Sequence, residues 1–343
     1  MSNRYRGRNS GPQKLVVGLL IVLFVGAAVI AGGKLLFREP ELPAGDDDPV
    51  NEETDAPETN GEQPASLGSS RKDGFYNILV CGVDDGNGGS DTMILVSIDS
   101  QKPAINCISI PRDTLIDVDW KVKKINASYN KGGIELVAEK VSDLLGVPVD
   151  FTVKVDLQGF IELVDAIDGV DFEVPINMNY DDPYQDLHIH LEKGMQHLDG
   201  LQAMGAVRFR HNNDGTGYGT EDIGRIGTQQ AFLKAVAKKM LTSLSPSDLS
   251  NYARIFKEYV DTELSVNNLL WCGQQALATG FDSIHFHTLP GDGTGYYKGG
   301  SYYILYDDQV LSLVNDYFNP YTAARTLEDL NVFVPEGYKR PGT

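Results

Sequence analysis

The chain has 343 residues, 41% of them hydrophobic, so it can fold around at least one substantial core. Its formal net charge of −19 argues against binding nucleic acid by bulk attraction, because such binding relies on a basic surface. Any anionic ligand must therefore be held by a local group of cations.

An apolar segment near the amino terminus predicts a transmembrane helix over 15–36. The segment is uncharged except for one lysine near its end, and at ~1.5 Å per residue it spans roughly 30 Å of hydrocarbon. Residues 1–14 carry only basic charges and 39–62 only acidic ones. The positive-inside rule then predicts a cytoplasmic tail over 1–14, with the rest of the chain outside the cell membrane. The alternative is a signal peptide cleaved near Val29 and Ala31, which exports the same residues.

The next segment, 37–72, combines prolines with acidic charge and predicts an extended, solvated linker. Short apolar runs and amphipathic stretches follow it. In chain order they predict strands 76–83, 92–98 and 104–110, helix 133–145, strand 151–155, a helix capped by Asp156 and closed by Gly169, and a helix over 225–241. Strands interleaved with helices predict an α/β or αβα sandwich.

The pattern restarts after 245. It predicts helices 249–260 and 269–278, strand 283–289 and helix 307–317. We interpret 73–245 as the catalytic domain, 246–320 as an extension packed on it, and 321–343 as a tail.

Three cysteines, Cys81, Cys107 and Cys272, are too few for a disulfide framework. Each lies in an apolar run, which favours buried free thiols. A bridge between Cys81 and Cys107 remains open if their strands are neighbours.

Two aspartates flank a glycine-rich loop. Asp84 directly follows a buried strand, and Asp91 begins the next one. Two carboxylates at the carboxyl end of a strand suit a hard cation, since Mg²⁺ uses one or two carboxylates together with substrate phosphates. The alternative is that both aspartates cap turns.

Four arginines stand out in this acidic protein. Arg112 follows the third strand, Arg208 and Arg210 are two apart in a segment predicted to be extended, and Arg225 begins a helix. Guanidinium groups bind phosphate oxygens in pairs, so the set suits a pyrophosphate. Surface ion pairing is the alternative.

Several motifs occur together in one order. They are CGVDDGNGGSDTMILVSID, SIPRDT, KINASYNKGG, YDDPYQDLHIHLEKGMQHLDGLQAMGAVRFRH and DIGRIGTQQAFL. In this order they resemble the catalytic domain of the LytR-CpsA-Psr family, over about Asn77 to Met240. The resemblance implies an αβα sandwich with a central mixed β-sheet enclosing a hydrophobic pocket, preceded by one transmembrane helix.

The resemblance also implies a function. A glycopolymer, teichoic-acid-like or capsular, would pass from polyprenyl pyrophosphate at the membrane to peptidoglycan. Mg²⁺, or Mn²⁺ as the alternative, would be held by Asp84 and Asp91. The phosphates would be held by Arg112, Arg208, Arg210, Arg225 and Gln229. Asp222 would orient that cluster, and Arg112, Asp84 and Asp222 are the predicted catalytic residues.

The chain departs from the family pattern at three positions. Gly86, Gly89 and Thr228 stand where relatives often carry arginine. The loop-arginine roles therefore do not transfer, and pyrophosphate binding is expected to be weaker or more dependent on the metal.

Two other functions remain open. Water in place of the wall hydroxyl would make the protein a hydrolase of the same substrate, and a non-catalytic envelope regulator or polymer-binding module is the other alternative. His188 and His190 share one face of a strand near Asp186, but the run belongs to the family framework and is interpreted as such rather than as a metal site.

Overall fold

The computed structural model describes residues 37–43, 70–83, 90–102, 104–183, 187–209, 211–218, 246–279 and 283–341, and, between them, residues 228, 231–232, 235–236 and 239. For residues 91, 246–250, 252–253 and 277 it describes the backbone alone. None of the helices in these ranges has both the length and the apolar composition that crossing a bilayer requires. The predicted transmembrane span over 15–36 lies outside them.

The fold is built on a mixed sheet of six strands. With strands numbered along the chain, these are β1 (Phe75–Val83), β2 (Ser90–Asp99), β3 (Ala104–Ser109), β4 (Phe151–Asp156), β9 (Val260–Thr262) and β10 (His285–Thr288). Their order across the sheet is β10-β3-β2-β1-β4-β9. β1, β3, β4 and β10 run in one direction, and β2 and β9 run in the other. The predicted α/β fold with a central mixed sheet is confirmed.

Both faces of the sheet are apolar. Successive side chains of a strand point to opposite sides, so Ile78 and Val80 belong to one buried cluster and Leu79 and Cys81 to another. Every residue of β1 is buried. Each face therefore needs a covering layer.

Helices supply both layers. They are α1 (Tyr129–Leu145), α2 (Leu157–Ala166), α3 (Gly200–Arg208), α4 (Pro246–Tyr259), α5 (Val266–Thr279) and α6 (Asp307–Tyr317), with short 3-10 helices at Ile125–Ser128 and Leu327–Asp329. α1 and α6 contribute Val141 and Val314 to the cluster around Leu79, on what we call the α1 face. α2 to α5 pack into the cluster around Val80, on the α2 face.

The helix ends follow local sequence signals. Asp156 caps α2 by accepting a 2.7 Å hydrogen bond from the amide of Gln158, as predicted. Gly146 ends α1 with a φ of 63°, a left-handed conformation that glycine adopts at low cost. α1 begins earlier than predicted, at Tyr129, and non-helical backbone at Gly133 separates its first residues from the predicted part.

Three two-stranded antiparallel sheets were not predicted. β5 (Val170–Val174) pairs with β8 (Gly194–Leu198), β6 (Met178–Asp182) with β7 (Leu187–Leu191), and β11 (Gly291–Tyr297) with β12 (Gly300–Leu305). Apart from Met195 and Tyr296, their exposed positions are polar or glycine, so they lack the continuous apolar runs of the central strands.

The carboxy-terminal segment takes part in the central sheet. β9 and β10 form its two edges. The predicted helices and strand of this segment are confirmed as α4, α5, β10 and α6. β9 was missed because its three residues are too few to show a period.

Both described ends of the predicted linker touch the folded part. Arg38 donates its backbone amide to the carbonyl of Asn267, and the Tyr76 hydroxyl donates to the carbonyl of Pro40. At the other end, Arg71 forms a backbone bridge with Tyr321. Residues 44–69 lie outside the described ranges.

The cysteines are buried thiols. β2 lies between the strands of Cys81 and Cys107, and the two side chains belong to opposite faces of the sheet. A bridge between them is therefore excluded. Burial raises the pKa of the Cys81 thiol, and likewise that of Cys272, to about 12.

One buried ion pair ties the start of the domain to the sheet. Arg71 Nη2 lies 2.6 Å from Oδ2 of Asp150, whose side chain is 4% exposed. The same oxygen accepts a hydrogen bond from the amide of Asn77. Burial raises the pKa of Asp150, and the nearby Arg71 guanidinium opposes that rise.

We expect Arg71→Ala to lower the free energy of unfolding by about 3 kcal/mol, because it leaves a buried carboxylate without its cation. Urea unfolding followed by circular dichroism measures the loss. The matched control is Arg254→Ala, which removes a solvent-exposed pair with Glu258 and should cost much less. Equal losses in the two variants would contradict the prediction.

Candidate functional site

Four strands end along one edge of the central sheet, which we call the carboxyl edge. Because β1, β3, β4 and β10 run in the same direction, their last residues lie there: Val83, Ser109, Asp156 and Thr288. β2 runs in the opposite direction and begins at this edge with Ser90. Ligands of open α/β sheets bind outside the carboxyl ends of the strands, so this edge is the candidate site.

The two predicted metal ligands are attached to this edge. Val83 pairs with Ser90, and both residues are fully buried. Asp84 follows Val83 but lies outside the described residues, and Asp91 follows Ser90 with only its backbone described. The buried Ser90 hydroxyl has no hydrogen-bond partner among the described residues. Carboxylate and hydroxyl oxygens are ligands that suit Mg²⁺. The residue types therefore fit the predicted metal, and their role as ligands stays a prediction.

Arg112 leaves the same edge on a tightly held backbone. It follows Ile108 and Ile110, which are 0% and 2% exposed. The amide of Ile110 donates to the carbonyl of Met93, and the carbonyl of Arg112 accepts from the amide of Asn126 at 3.2 Å. Two backbone hydrogen bonds and two buried neighbours therefore hold the chain on either side of Arg112.

The Arg112 side chain lies beside a carboxylate and a lysine. Its Nε is 3.6 Å from Oδ1 of Asp113, and Lys124 Nζ is 3.0 Å from the same oxygen. The Arg112 side chain is 54% exposed, so this ion pair is screened by water and contributes little stability. Exchanging this ion pair for a contact with a phosphate would therefore cost the fold little stability.

The structure corrects the prediction for Arg208. Arg208 is the last residue of α3, and the chain becomes extended only at Phe209, so Arg208 does not lie on an extended segment with Arg210. The helix forms because Asp199 and Gln202 make a capping box and Ala203, Met204 and Val207 recur at helical spacing and are buried. A four-residue stretch is too short for alternation to outweigh those signals. Arg210 lies outside the described residues.

A buried contact chain joins the two arginine-bearing segments. The rings of Phe209 and Tyr218 lie 5.8 Å apart, edge to face. The Tyr218 hydroxyl is 2.9 Å from the Thr228 hydroxyl. Phe209 directly follows Arg208, and Thr228 directly precedes Gln229. The contact chain therefore brings together the residues that lie next to Arg208 and Gln229 in the sequence, one from each predicted phosphate-binding segment.

The surroundings of Thr228 account for one departure from the family pattern, a threonine where relatives often carry arginine. Its side chain is 4% exposed and hydrogen-bonded to Tyr218, so this position faces the interior of the α2 face. Phe232, four residues later, packs edge to face on Phe172. Asp222, Arg225 and Gln229 lie outside the described residues, and their predicted roles stay predictions.

Sequence reasoning missed one cluster of candidate ligands. His188 and His190 lie on β7 beside Asp181 of β6. Asp186 lies outside the described ranges. The cluster depends on the pairing of two strands. No spacing within the sequence predicts that pairing.

Comparison with known proteins identifies similar sequences. The model of the LytR_cpsA_psr family matches residues 46–318. TagV of Bacillus subtilis (strain 168), named a polyisoprenyl-teichoic acid–peptidoglycan teichoic acid transferase, is 31% identical over 234 residues, which are 65% of this chain and 58% of TagV. The match thus spans less than two thirds of TagV. TagU of Bacillus cereus bears the same functional name and is 30% identical over 244 residues, 70% of this chain and 76% of TagU.

A third relative has a different kind of name. MsrR of Staphylococcus aureus (strain COL), named a regulatory protein, is 29% identical over 227 residues, covering 65% of this chain and 67% of MsrR. The crystal structure of B. subtilis TagV superimposes with a TM-score of 0.54 at 24% identity, covering 77% of this chain and 100% of the other. That likeness shows a shared fold.

We expect the Tyr218 and Thr228 hydroxyls to be energetically coupled. We consider a double-mutant cycle of Tyr218→Phe and Thr228→Val. The double variant should lose about 1 kcal/mol less unfolding free energy than the sum of the two single losses, because each single change already breaks the shared hydrogen bond. Denaturant unfolding of the four proteins measures the coupling. The matched control is the exposed Ser70–Thr322 hydroxyl pair, 3.3 Å apart, which should be additive. Additive losses at Tyr218 and Thr228 would refute the contact.

Proposed function

The chain belongs to the LytR_cpsA_psr family, and from that premise we propose that it is a phosphotransferase moving a glycopolymer from polyprenyl pyrophosphate to peptidoglycan. The observation that carries the proposal is the similarity to TagV and TagU, whose names describe transfer of teichoic acid to peptidoglycan. The glycopolymer would be teichoic-acid-like or capsular.

The proposed reaction is a displacement at phosphorus. A peptidoglycan hydroxyl attacks the phosphorus that carries the glycan, and the bond from that phosphorus to the bridging oxygen breaks. The glycan phosphate becomes a diester on the wall, polyprenyl phosphate leaves, and the hydroxyl proton is released with the products. Negative charge grows on the bridging oxygen and the leaving phosphate, so catalysis needs cations positioned there before the reaction.

Arg112 is the proposed cation at the leaving phosphate. Its backbone is held by hydrogen bonds and by two buried isoleucines, while its side chain is half exposed at the carboxyl edge. A guanidinium held in place costs little reorganisation when charge develops, so it stabilises the transition state more than the ground state.

A second group of hydrogen-bond donors, three arginines and one glutamine, is proposed for the other phosphate oxygens. Arg208, Arg210, Arg225 and Gln229 would bind them, and Asp222 would orient the group. The contact chain from Phe209 through Tyr218 to Thr228 supports this grouping, because Arg208 and Gln229 are bonded directly to its two ends.

Asp84 and Asp91 are proposed to hold Mg²⁺, or Mn²⁺, at the start of β2. The ion would neutralise phosphate charge there. With Gly86, Gly89 and Thr228 in place of family arginines, the remaining cations have more charge to offset.

The polyprenyl tail is proposed to lie in a hydrophobic pocket on the α2 face, within an αβα sandwich. Phe209 and Tyr218 belong to the apolar cluster of that face, so the apolar core of that face reaches the segment that carries Arg208. The predicted transmembrane helix over 15–36 would hold the domain outside the membrane, beside its lipid-linked substrate, with the amino terminus in the cytoplasm.

We expect Arg112→Ala to lower turnover about a hundredfold, the effect of losing one preorganised contact to developing charge. Arg112→Lys should recover part of the activity, because a point charge cannot reproduce the two-pronged contact. Transfer of glycopolymer from lipid carrier to peptidoglycan measures the rate, and the melting temperature should stay unchanged because the side chain is half exposed.

The matched control for that experiment is Arg254→Ala, an exposed arginine on α4 with no proposed role. Normal transfer by Arg112→Ala would overturn the assignment. Release of free glycopolymer phosphate without wall transfer would instead identify a hydrolase. Wild-type protein that binds the lipid-linked polymer without turnover would favour a regulatory role, the function that the name of MsrR describes.

Replacing either Asp84 or Asp91 by asparagine should abolish the Mg²⁺-dependent part of turnover without lowering the melting temperature, since carboxylates at the end of a strand contribute little to the core. Rates are measured against Mg²⁺ concentration, with a chelator as the zero point. Asp261→Asn, which changes a 73% exposed carboxylate on β9, is the control. Full wild-type turnover with the chelator present would refute the metal role.

A further inference from the structure

The hairpin of β6 and β7 presents four polar side chains on one face. Asp181 pairs with His188 and Asn179 with His190 in the antiparallel register. Directly opposed residues lie on the same side of a hairpin, as do residues two apart on one strand. The four side chains therefore form a compact polar patch, which we call the histidine face.

The opposite side of the hairpin is anchored in the core. Met178, Ile189 and Leu191 are 1%, 2% and 5% exposed and belong to the cluster on the α2 face. The loop over 211–218 fixes the hairpin from its edge. There, Asn213 Oδ1 accepts from the Asp181 amide at 2.7 Å, and Asn213 Nδ2 donates to the Asp181 carbonyl at 3.0 Å. The backbone that carries the histidine face is therefore held by core packing on one side and by hydrogen bonds at its edge.

Three ligand atoms converge on this face. Oδ1 of Asp181 lies 2.5 Å from His188 Nδ1 and 3.2 Å from His190 Nε2. The possible ligand atoms of the three residues all lie within 4.8 Å of one another. Ligand atoms of a tetrahedral Zn²⁺ site are roughly 3.3 Å apart, since each lies about 2.0 Å from the metal. Side-chain movements of about 1 Å would therefore bring the three ligand atoms to the spacing of a tetrahedral Zn²⁺ site.

The other ring nitrogen of His190 is held by an amide. His190 Nδ1 lies 2.7 Å from Asn179 Oδ1, and because that oxygen only accepts, Nδ1 carries the proton. In the neutral ring, Nε2 is then the nitrogen with a lone pair, and it lies 3.2 Å from Oδ1 of Asp181. Metal-binding histidines are oriented in this way, with one nitrogen donating to an oxygen and the other free to ligate.

We propose that Asp181, His188 and His190 form a binding site for a zinc-class divalent cation, with Asn179 as the residue that positions His190. Imidazole nitrogens suit Zn²⁺ and its neighbours, whereas Mg²⁺ prefers oxygen ligands. Three protein ligands leave a fourth position for water or an oxygen of a bound molecule. The inference stands on this hairpin alone and does not depend on the proposed transfer reaction.

An ordinary surface ion pair is the competing explanation. The His188 hydrogen bond is the main cause that lowers the pKa of Asp181, as such a pair requires. The two-stranded sheet of β5 and β8 provides the comparison, because Asp171 there lies 2.8 Å from His197. That pair has one imidazole. The histidine face brings two to one carboxylate oxygen and orients one of them through an amide.

The test is a Zn²⁺ titration of the whole chain without a polyhistidine tag, followed by calorimetry. We expect one site per chain, with affinity lowered more than tenfold in His190→Gln and in Asp181→Asn. Asn179→Ala keeps all three ligands and should lower affinity about tenfold, the usual effect of removing a supporting hydrogen bond. His197→Gln is the matched control and should bind as the wild type does.

Co²⁺ provides a second readout. Its visible absorption should show nitrogen and oxygen coordination in the wild type and in His197→Gln, and should change in His190→Gln. The inference is overturned if the wild type does not bind Zn²⁺, if the Asp181 and His190 variants bind like the wild type, or if His197→Gln loses the same affinity. Asp84→Asn should retain the site, so failure of this inference and failure of the proposed Mg²⁺ role are distinguishable.

Discussion

A central sheet that is apolar on both faces imposes the rest of this architecture. Because consecutive residues of β1 enter opposite clusters, neither face can be left in water, and the chain must supply helices for both. Polar chemistry is then confined to the ends of the strands and to outlying hairpins. The carboxyl edge is where β1, β3, β4 and β10 end and β2 begins, so loops from distant parts of the sequence meet there.

Charge is the second constraint on the site. A protein with a net charge of −19 repels a pyrophosphate at long range, so affinity has to come from a few cations at short range. Arg112 is suited to this because its backbone is fixed while its side chain reaches solvent. The burial of Thr228 against Tyr218 shows how the chain uses a position where relatives often have arginine. It stabilises the fold there instead of adding positive charge.

The hairpin of β6 and β7 differs from the central strands because only one of its sides is buried. One side of β6 and β7 is buried in the α2 face, and the other is left to polar residues. One register sets which residues of a half-buried hairpin face the core and which face solvent, so the exposed residues of its two strands are brought opposite one another in a fixed order. This is how His188, His190 and Asp181 come together on an otherwise ordinary surface.

The sequence by itself determined five of the six central strands, α2 with its Asp156 cap, and the glycine end of α1, because apolar period and capping residues are local properties of a segment. The order of its motifs also identified the family. Tertiary structure alone decided which distant groups meet. β2 separates Cys81 from Cys107, β9 forms one edge of the sheet, and Asp181 lies opposite His188. It also decided that Arg208 ends a helix, where a cap and buried packing outweighed a short alternating pattern. Strand pairing and register depend on the free energy of contacts between remote segments, and no periodicity within one segment records them.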